Sequence, residues 1–198
     1  IKGQGLEDYD PAYALETNTN SLSLVNPILY NESEYRRNKT DVLNISTYIN
    51  LKLTRFLSFK TTFGYDLTNG IKNAFDDSLS NNSKLNGGSQ PLANITITKR
   101  TTFNNSNVLT YSNTSSTKSF AKRNVITALV GHEIYDLTNR SNYNESRYFP
   151  SRIDPKVALA NMSLGSPPAG VALIKPTSFE ATSRVVSGFA RLNYTRDN

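Results

Sequence analysis

The stretch DVLNISTYINLKLTRFLSFKTTFGYDLT, residues 41–68, decides the fold of this chain. Most of its apolar side chains occupy odd positions and most of its polar ones even positions, on both sides of a break at 54–56. A period of two places the apolar side chains on one face of a β-strand. Each arm is about ten residues long, roughly what a tilted strand needs to cross an outer membrane. The stretch therefore predicts two antiparallel strands of a transmembrane β-barrel.

The composition supports this interpretation and excludes several classes of protein. Apolar residues make up 37% of the 198, and no run approaches the ~20 apolar residues that a membrane helix requires. The chain contains no cysteine, which excludes disulfides, thiolate metal sites and cysteine nucleophiles. Its formal charge of +6 is spread over scattered basic pairs, a pattern that favours solvated loops over a nucleic-acid site.

The same patterns predict five strands separated by connections of unequal length. We expect an irregular lead-in at 1–40 and a partial barrel over 41–198, with strands near 42–53, 57–67, 95–111, 124–137 and 183–195. Their connections are alternately short and long, which is typical of outer-membrane barrels with tight periplasmic turns and large external loops. A short helix is expected over 154–162. Since the chain starts without an initiator methionine and ends directly after a strand-like segment, we expect it to be part of a longer polypeptide.

Three stretches carry motifs of a known family. The first is the hairpin from Asn44 to Asp66, with its second arm reading L-x-F-x-x-x-F-G-x-D. The second is the pair 107–111 and 124–133, which is similar to N-x-L-x-Y followed by L-x-G-x-E, and the third is 187–194, which matches S-x-F-x-R-x-N-Y. Together they resemble the SusC/RagA family of TonB-dependent outer-membrane transporters of Bacteroidetes-type bacteria. Asn26-Pro27 also lies where such proteins often carry this pair.

The resemblance implies a segment of a 22-stranded barrel with a plugged lumen. It implies a nutrient importer in the outer membrane of a Gram-negative cell, which takes up oligosaccharides or peptides and is driven through TonB. A SusD-like surface lipoprotein is the implied partner at the external loops. The resemblance covers the barrel alone, because the plug that contacts TonB has no counterpart in these residues. It implies neither an enzyme nor a cofactor.

Aromatic and basic residues beside the second long connection are the candidates for contact with a substrate or partner. Aromatic rings stack on sugar rings, and guanidinium groups bind hydroxyls or a peptide carboxylate. The candidates are Tyr143, Arg147, Tyr148, Phe149 and Arg152. The alternative is that these aromatics pack the loops or form an interfacial girdle.

No residue is predicted to be catalytic, cofactor-binding or metal-binding. The single histidine, His132, lacks the partners that such a site requires, and Glu133 lies on the opposite face of its strand. Two alternatives to a transporter stay open. In a soluble β-sandwich with a binding or adhesion role, the odd face of 43–67 would pack against a second sheet. A secreted carbohydrate-active enzyme would need a carboxylate pair, for which Glu133 and Asp66 are the candidates.

Overall fold

A computed structural model describes residues 31–114 and 123–196. These residues form one antiparallel sheet of five strands, in which each strand pairs with the next in the sequence. The strands are β1 (Glu34–Lys52), β2 (Leu57–Asp76), β3 (Leu92–Ser112), β4 (Asn124–Arg147) and β5 (Thr177–Arg196). The predicted all-β, up-and-down fold is confirmed. Most of the predicted lead-in at 1–40, including Asn26-Pro27, lies outside the described residues.

The hairpin predicted at 41–68 is present, and its turn is held by one threonine. The backbone N–H groups of Leu53 and Thr54 donate to the carbonyl oxygen of Leu57 at 2.9 and 3.1 Å. The Thr54 hydroxyl accepts hydrogen bonds from the N–H groups of Phe56 and Leu57 at 3.2 and 3.0 Å. A single side chain therefore satisfies two donors that a tight turn would leave without a partner.

Cross-strand contacts bring the even-numbered residues of the first three strands onto one face. Asn44 Nδ2 on β1 donates to Asp66 Oδ1 on β2 at 2.8 Å. Gly64 on β2 lies against Asn104 on β3, since a Cβ at Gly64 would come within 1.9 Å of Asn104 Oδ1. These residues are polar or small, so the alternation in the sequence corresponds to a polar face and an apolar face.

The strands extend beyond their predicted ends where the sequence becomes polar. β1 begins at Glu34, β2 continues to Asp76, and β4 continues to Arg147. Polar cross-strand pairs on β4 and β5 accompany this extension: Arg184–Asp136 at 2.6 Å, Thr138–Thr182 at 3.2 Å and Arg140–Glu180 at 3.0 Å. The sequence suggested loops here because of its polarity, whereas the hydrogen bonds of a β-ladder are made by the backbone and tolerate polar side chains.

A glycine on β4 explains the aromatic residue that interrupts the alternation of β5. A Cβ at Gly131 would lie 2.6 Å from Cζ of Phe189 and 2.9 Å from the backbone oxygen of Asn107. The ring of Phe189 therefore covers a strand glycine across the β4–β5 pair. An aromatic side chain in this position compensates for the packing that glycine lacks.

The chain divides into two compact units. The sheet unit consists of Thr40–Gly70, Thr98–Ser141 and Ser178–Asn198, and the loop unit of Ile1–Lys39, Ile71–Ile97 and Asn142–Thr177, within the described residues. The connections at 53–56 and 113–123 belong to the sheet unit, and the longer ones at 77–91 and 148–176 belong to the loop unit. Short and long connections thus alternate along the chain.

The sheet unit leaves its apolar face uncovered. Leu43, Ile45, Ile49, Leu51 and Leu53 on β1 and the turn after it are between 48% and 54% exposed. All five strands belong to one sheet, and the described residues contain no second sheet that would cover these side chains. The described residues therefore form a single sheet rather than two packed sheets.

The loop unit contains a buried apolar core. Phe75, Ala93, Phe149 and Ala158 pack together, each with at most 3% exposure. They come from the end of β2, the start of β3, the residues after β4 and a helix in the last connection. Tyr35, Ile153, Leu159 and Met162 pack against this cluster. The two long connections are therefore folded together rather than extended.

Two short α-helices lie in these connections, and each begins at a capping side chain. In α1 (Asn81–Asn86), the Ser80 hydroxyl accepts a hydrogen bond from the Ser83 N–H at 3.0 Å. In α2 (Pro155–Ala160), the Asp154 carboxylate accepts from the Lys156 N–H at 2.8 Å. α2 corresponds to the helix expected over 154–162, whereas α1 was not expected. Within the described part of the chain, no helix is long and apolar enough to cross a membrane.

Candidate functional site

An ion pair joins the start of β1 to the end of β2, where the first long connection begins. Arg36 donates from Nη2 to Asp76 Oδ1 at 2.6 Å and from Nη1 to the carbonyl oxygen of Phe75 at 2.7 Å. Asn82 Nδ2 donates to the other carboxylate oxygen of Asp76 at 2.9 Å. The Asp76 side chain is only 1% exposed, so both of its oxygens are satisfied inside the protein. This arrangement holds α1 against the end of β2.

A network of hydrogen bonds between polar side chains connects the end of β4 with α1. The Tyr143 hydroxyl donates to Glu145, and Arg147 Nε bonds to the same carboxylate at 2.5 Å. Arg147 Nη1 also donates to the carbonyl oxygen of Asn86 at 2.5 Å. Burial, followed by the hydrogen bond to Glu145, raises the pKa of Tyr143 to about 12. Tyr143 is therefore a neutral hydrogen-bond donor at physiological pH.

Tyr148 adopts a backbone conformation that is rare for an aromatic residue. Its φ is 64°, in the left-handed region. Its carbonyl oxygen accepts from the Ser166 N–H at 3.3 Å, and the following Phe149 N–H donates to the carbonyl oxygen of Pro91 at 3.1 Å. Gly88, with a φ of 61°, faces the ring, because a Cβ there would lie 3.2 Å from Tyr148 Cε1. The surrounding backbone therefore maintains this strained conformation.

Tyr148 lines an open cavity of about 520 Å³ in the loop unit. Most of the lining is apolar, and Gln90 and Ser166 add polar side chains. The apolar lining comes from Tyr148, Phe149, Pro150, Leu164 and Pro168. The volume is within the range of ligand sites, which are concave and mostly apolar with a few polar groups.

A second depression, of about 260 Å³, lies on the polar face of the sheet unit. Its lining includes Asp66, Arg100, Asn104 and Tyr135. The Oδ1 atom of Asn104 is buried there without a hydrogen-bond partner in the structure. Charged groups of both signs make this surface suited to polar contacts rather than to an apolar ligand.

The five residues proposed from the sequence have different environments. Tyr143 and Arg147 belong to one hydrogen-bonded chain through Glu145, and Tyr148 lines the cavity. Phe149 is completely buried in the core, as the loop-packing alternative requires. Arg152 is exposed and has a φ of 65°. Of these five, Tyr148 is the residue whose surroundings most resemble a ligand site.

The other lining residues of the cavity were not identified from the sequence. Gly88 and Pro168 are residue types that mark a turn or loop rather than a ligand site. Leu164 and Gln90 belong to no periodic pattern. They meet at the cavity because the two long connections fold together. The spacing of these residues in the sequence does not predict that contact.

The two carboxylates considered for enzymatic chemistry lie on strands that are not neighbours in the sheet. Glu133 is on β4 and Asp66 on β2, with β3 between them in the sheet. His132 lies 3.4 Å from Asn107 through its Nδ1 atom. In the described ranges, no three residues among His, Cys, Asp and Glu are arranged to hold a metal ion.

The fold is similar to that of solved transporter structures. A structure of the RagAB peptide transporter matches 84% of this chain with a TM-score of 0.67 and 18% identity. The fold is that of a segment of a RagAB transporter chain. The RagAB peptide importer gives TM-scores of 0.65 in its closed-closed state and 0.62 in its open-open state, at 20% and 22% identity.

The RagAB likeness concerns the fold and a limited part of the known chains. This chain spans 17% of the length of each of those RagAB chains. No family model matches the sequence, and no curated protein sequence matches it either. The resemblance seen in the sequence motifs is thus supported for the RagA-like fold, and the structures that carry it are transporters.

Proposed function

We propose that this chain is part of the barrel of an outer-membrane, TonB-dependent nutrient importer. The importer takes up peptides or oligosaccharides and works with a SusD-like surface lipoprotein. The observation that carries the proposal is the uncovered apolar face of the sheet unit. In water this face would be unfavourable by about 25 cal/mol for each Å² of apolar surface, whereas lipid removes that penalty.

The apolar belt has the dimensions of a membrane crossing. It extends over Leu43–Leu53, on β1 and the first residue after it, about ten residues, which is the length of a tilted transmembrane strand. On β4 and β5 the side chains change to ion pairs at Asp136 and Arg184. We place the external boundary of the lipid at these pairs, because charged side chains are unfavourable in the hydrocarbon layer.

The opposite face supports an aqueous lumen. Asn44, Asp66, Arg100 and Asn104 contribute polar groups to it. Strands that alternate between apolar outward and polar inward residues are the signature of outer-membrane barrels. In this proposal the loop unit is external, where its two long connections contribute to ligand capture and to contact with the lipoprotein.

Location is the first test of the proposal. The native polypeptide that contains these residues should fractionate with the outer membrane and require detergent for extraction. A species that stays soluble without detergent would contradict the proposal, because the apolar face would then need a protein partner in water.

Topology is the second test. The chain has no cysteine, so single cysteines report cleanly once any others in the polypeptide are removed. Leu85→Cys, in the loop unit, should react with a membrane-impermeant maleimide on intact cells. Arg55→Cys, at the short turn, should react only after lysis. The reverse pattern would overturn the assignment of the loop unit to the cell exterior.

A further inference from the structure

We propose that the end of the sheet unit formed by the short connections binds the phosphate groups of anionic phospholipids. The residues of this basic rim are Arg55, Phe56, Tyr111, Arg123 and Tyr194. The inference rests on the proposed importer function, because that function places the apolar face of the sheet in lipid. It adds the chemical class of lipid that lies against one end of that face.

The short connections carry positive charge and no carboxylate. Residues 42–65 and 78–132 contain no aspartate or glutamate, and these two stretches include both short connections. Arg55 lies in the first connection and Arg123 in the last position of the second, and both side chains are exposed. The ion pairs among the described residues use arginines on β1, β4 and β5 instead. Both rim arginines can therefore bind an anion from outside the chain.

Charges elsewhere on the same sheet are arranged differently. Arg184 pairs with Asp136 at 2.6 Å, and Arg140 pairs with Glu180 at 3.0 Å, where the strands approach the long connections. Each of these cations is neutralised by a carboxylate of the neighbouring strand. An anionic headgroup is therefore attracted to the end of the sheet with the short connections rather than to the end with these pairs.

The two tyrosines of the basic rim lie on the apolar face of the sheet. Gly64 faces Asn104 across β2 and β3, so the odd-numbered Tyr111 shares the face of the odd-numbered apolar residues of β2. On β5, Tyr194 shares the face of Leu192, which is 72% exposed. Tyrosines at the edge of an apolar belt are typical of the boundary between lipid and water. The rim therefore lies at the depth where phospholipid headgroups begin.

Contacts at the first short connection fix the arginine beside aromatic rings. The guanidinium carbon of Arg55 lies 5.7 Å from the centre of the Phe56 ring, and that ring lies 6.4 Å from the ring of Tyr111. The Ser112 N–H donates to the carbonyl oxygen of Phe56 at 2.8 Å, which joins the turn to the end of β3. A guanidinium group that packs on a ring keeps its N–H groups for bidentate bonds to a phosphate.

The second short connection is fixed by an asparagine. The Asn113 side chain donates to the carbonyl oxygen of Asn124 at 2.9 Å and accepts from the Ile126 N–H at 2.8 Å. The Tyr194 hydroxyl donates to Asn124 Oδ1 at 2.6 Å. Arg123 directly precedes Asn124, so these bonds position its backbone at the edge of the sheet. Groups that are positioned before binding lose less conformational entropy when a ligand arrives.

A phospholipid matches both parts of this surface. Its acyl chains cover the apolar belt, and its phosphate group meets the arginines at the end of the belt. A free phosphate would use the arginines alone and would leave the apolar side chains in water. A cation close to an anionic membrane surface contributes about fivefold to affinity, so two exposed arginines are sufficient for selection between lipids.

Two substitutions test the rim, and a third arginine is the matched control. Arg55→Gln and Arg123→Gln each remove one charge from an exposed side chain, whereas Arg55→Lys keeps the charge. Arg191 is also exposed and lies three residues before Tyr194 on β5, so it is on the opposite, polar face. Arg191→Gln therefore removes the same charge from the same strand end without changing the lipid-facing surface.

The experiment measures which phospholipid the purified native polypeptide retains in detergent. The probe is an equimolar mixture of phosphatidylglycerol and phosphatidylcholine with identical acyl chains, added as mixed micelles before gel filtration. Wild type should retain phosphatidylglycerol over phosphatidylcholine by on the order of tenfold, and Arg55→Gln and Arg123→Gln should each lower this ratio about fivefold. Arg55→Lys and Arg191→Gln should keep a ratio close to that of wild type.

The other outcomes separate this inference from the importer function. Equal retention of the two lipids by wild type, or an unchanged ratio in both rim variants, overturns the lipid site. A loss in Arg191→Gln as large as that in Arg55→Gln also overturns it, because any positive charge would then suffice. Displacement of the retained lipid by free glycerol phosphate would assign the rim to a soluble phosphate and overturn the lipid assignment. The location and labelling experiments decide the importer function independently of all these results.

Discussion

In the described part of the chain, the loop unit buries apolar side chains in a core, whereas the sheet unit leaves its apolar side chains partly exposed. Among the described residues, the buried apolar side chains all belong to the loop unit, with Phe75 and Phe149 as the largest. In the sheet unit, the aliphatic residues Leu43–Leu53 stay about half exposed although they follow the clearest pattern in the sequence. Periodicity therefore reports which face is apolar, and the surroundings decide whether protein or lipid covers that face.

The strongest test of this contrast compares two phenylalanines. Phe149→Ala in the loop unit should reduce stability by about 3–5 kcal/mol, because the side chain is fully buried and leaves a cavity. Phe63→Ala in the sheet unit, where the ring is 40% exposed and faces lipid in the proposed importer, loses the transfer of the ring out of water without leaving a cavity and should cost about 1.5–3 kcal/mol. Hydrogen exchange of amides in 148–176 and in β2 measures both. Equal effects would mean that the two faces are equally packed.

A second test of the same contrast adds a positive charge at two similarly exposed sites, one in each unit. Ile49 in the sheet unit and Val157 in the loop unit are 52% and 47% exposed. In the proposed importer, Ile49→Lys places a charge in lipid and should destabilise the protein by about 2–4 kcal/mol. Val157→Lys faces water and should stay within about 0.5 kcal/mol. Urea midpoints of gel-mobility shifts give both values, and similar midpoints would indicate that both sites face water.

A glycine substitution shows whether the sheet unit is also tightly packed between its strands. Gly131→Ala brings a methyl group within 2.9 Å of the backbone oxygen of Asn107, so we expect a loss of about 1–3 kcal/mol. Gly188→Ala is the control, because the nearest atom to its Cβ is 4.0 Å away. The same urea titration should separate the two variants. If Gly131→Ala unfolds at the wild-type midpoint, the β4–β5 contact is looser than described.

The smallest difference in stability is expected between the alanine variants of two arginines, Arg184 and Arg36. Arg184→Ala removes an exposed ion pair with Asp136 and should change stability by no more than about 1 kcal/mol. Arg36→Ala leaves the buried carboxylate of Asp76 without its charged partner and should be unfavourable by about 1–3 kcal/mol. Hydrogen exchange at α1 and at β5 measures the two effects. A larger loss of stability for Arg184→Ala than for Arg36→Ala would contradict this prediction.

Much of the sheet could be predicted because its pattern is local. The alternation in 41–68 specifies two strands and their shared face, and Thr54 lies where the turn occurs. The strands were predicted too short where polar residues such as Arg140 and Glu180 continue the ladder. Their side chains meet only after the strands pair, so no local signal marks them as strand.

The candidate site could be predicted only in part. Tyr148 was identified as an aromatic residue in a connection, whereas Phe149 beside it is in the core. Adjacent residues in an irregular segment have no fixed period, so the sequence does not indicate which of the two is buried. The cavity also requires Gln90 and Leu164, which are distant in the sequence and meet through tertiary packing.

The hydrogen bond between Ser166 and Tyr148 closes the segment that follows β4 into a loop whose two ends lie side by side. Replacing the residues between these ends with another sequence would leave the two ends of the loop where they are. The segment therefore offers a position for grafting. Loops of different length and composition that retain an aromatic anchor equivalent to Phe149 would give the same sheet a series of alternative surfaces.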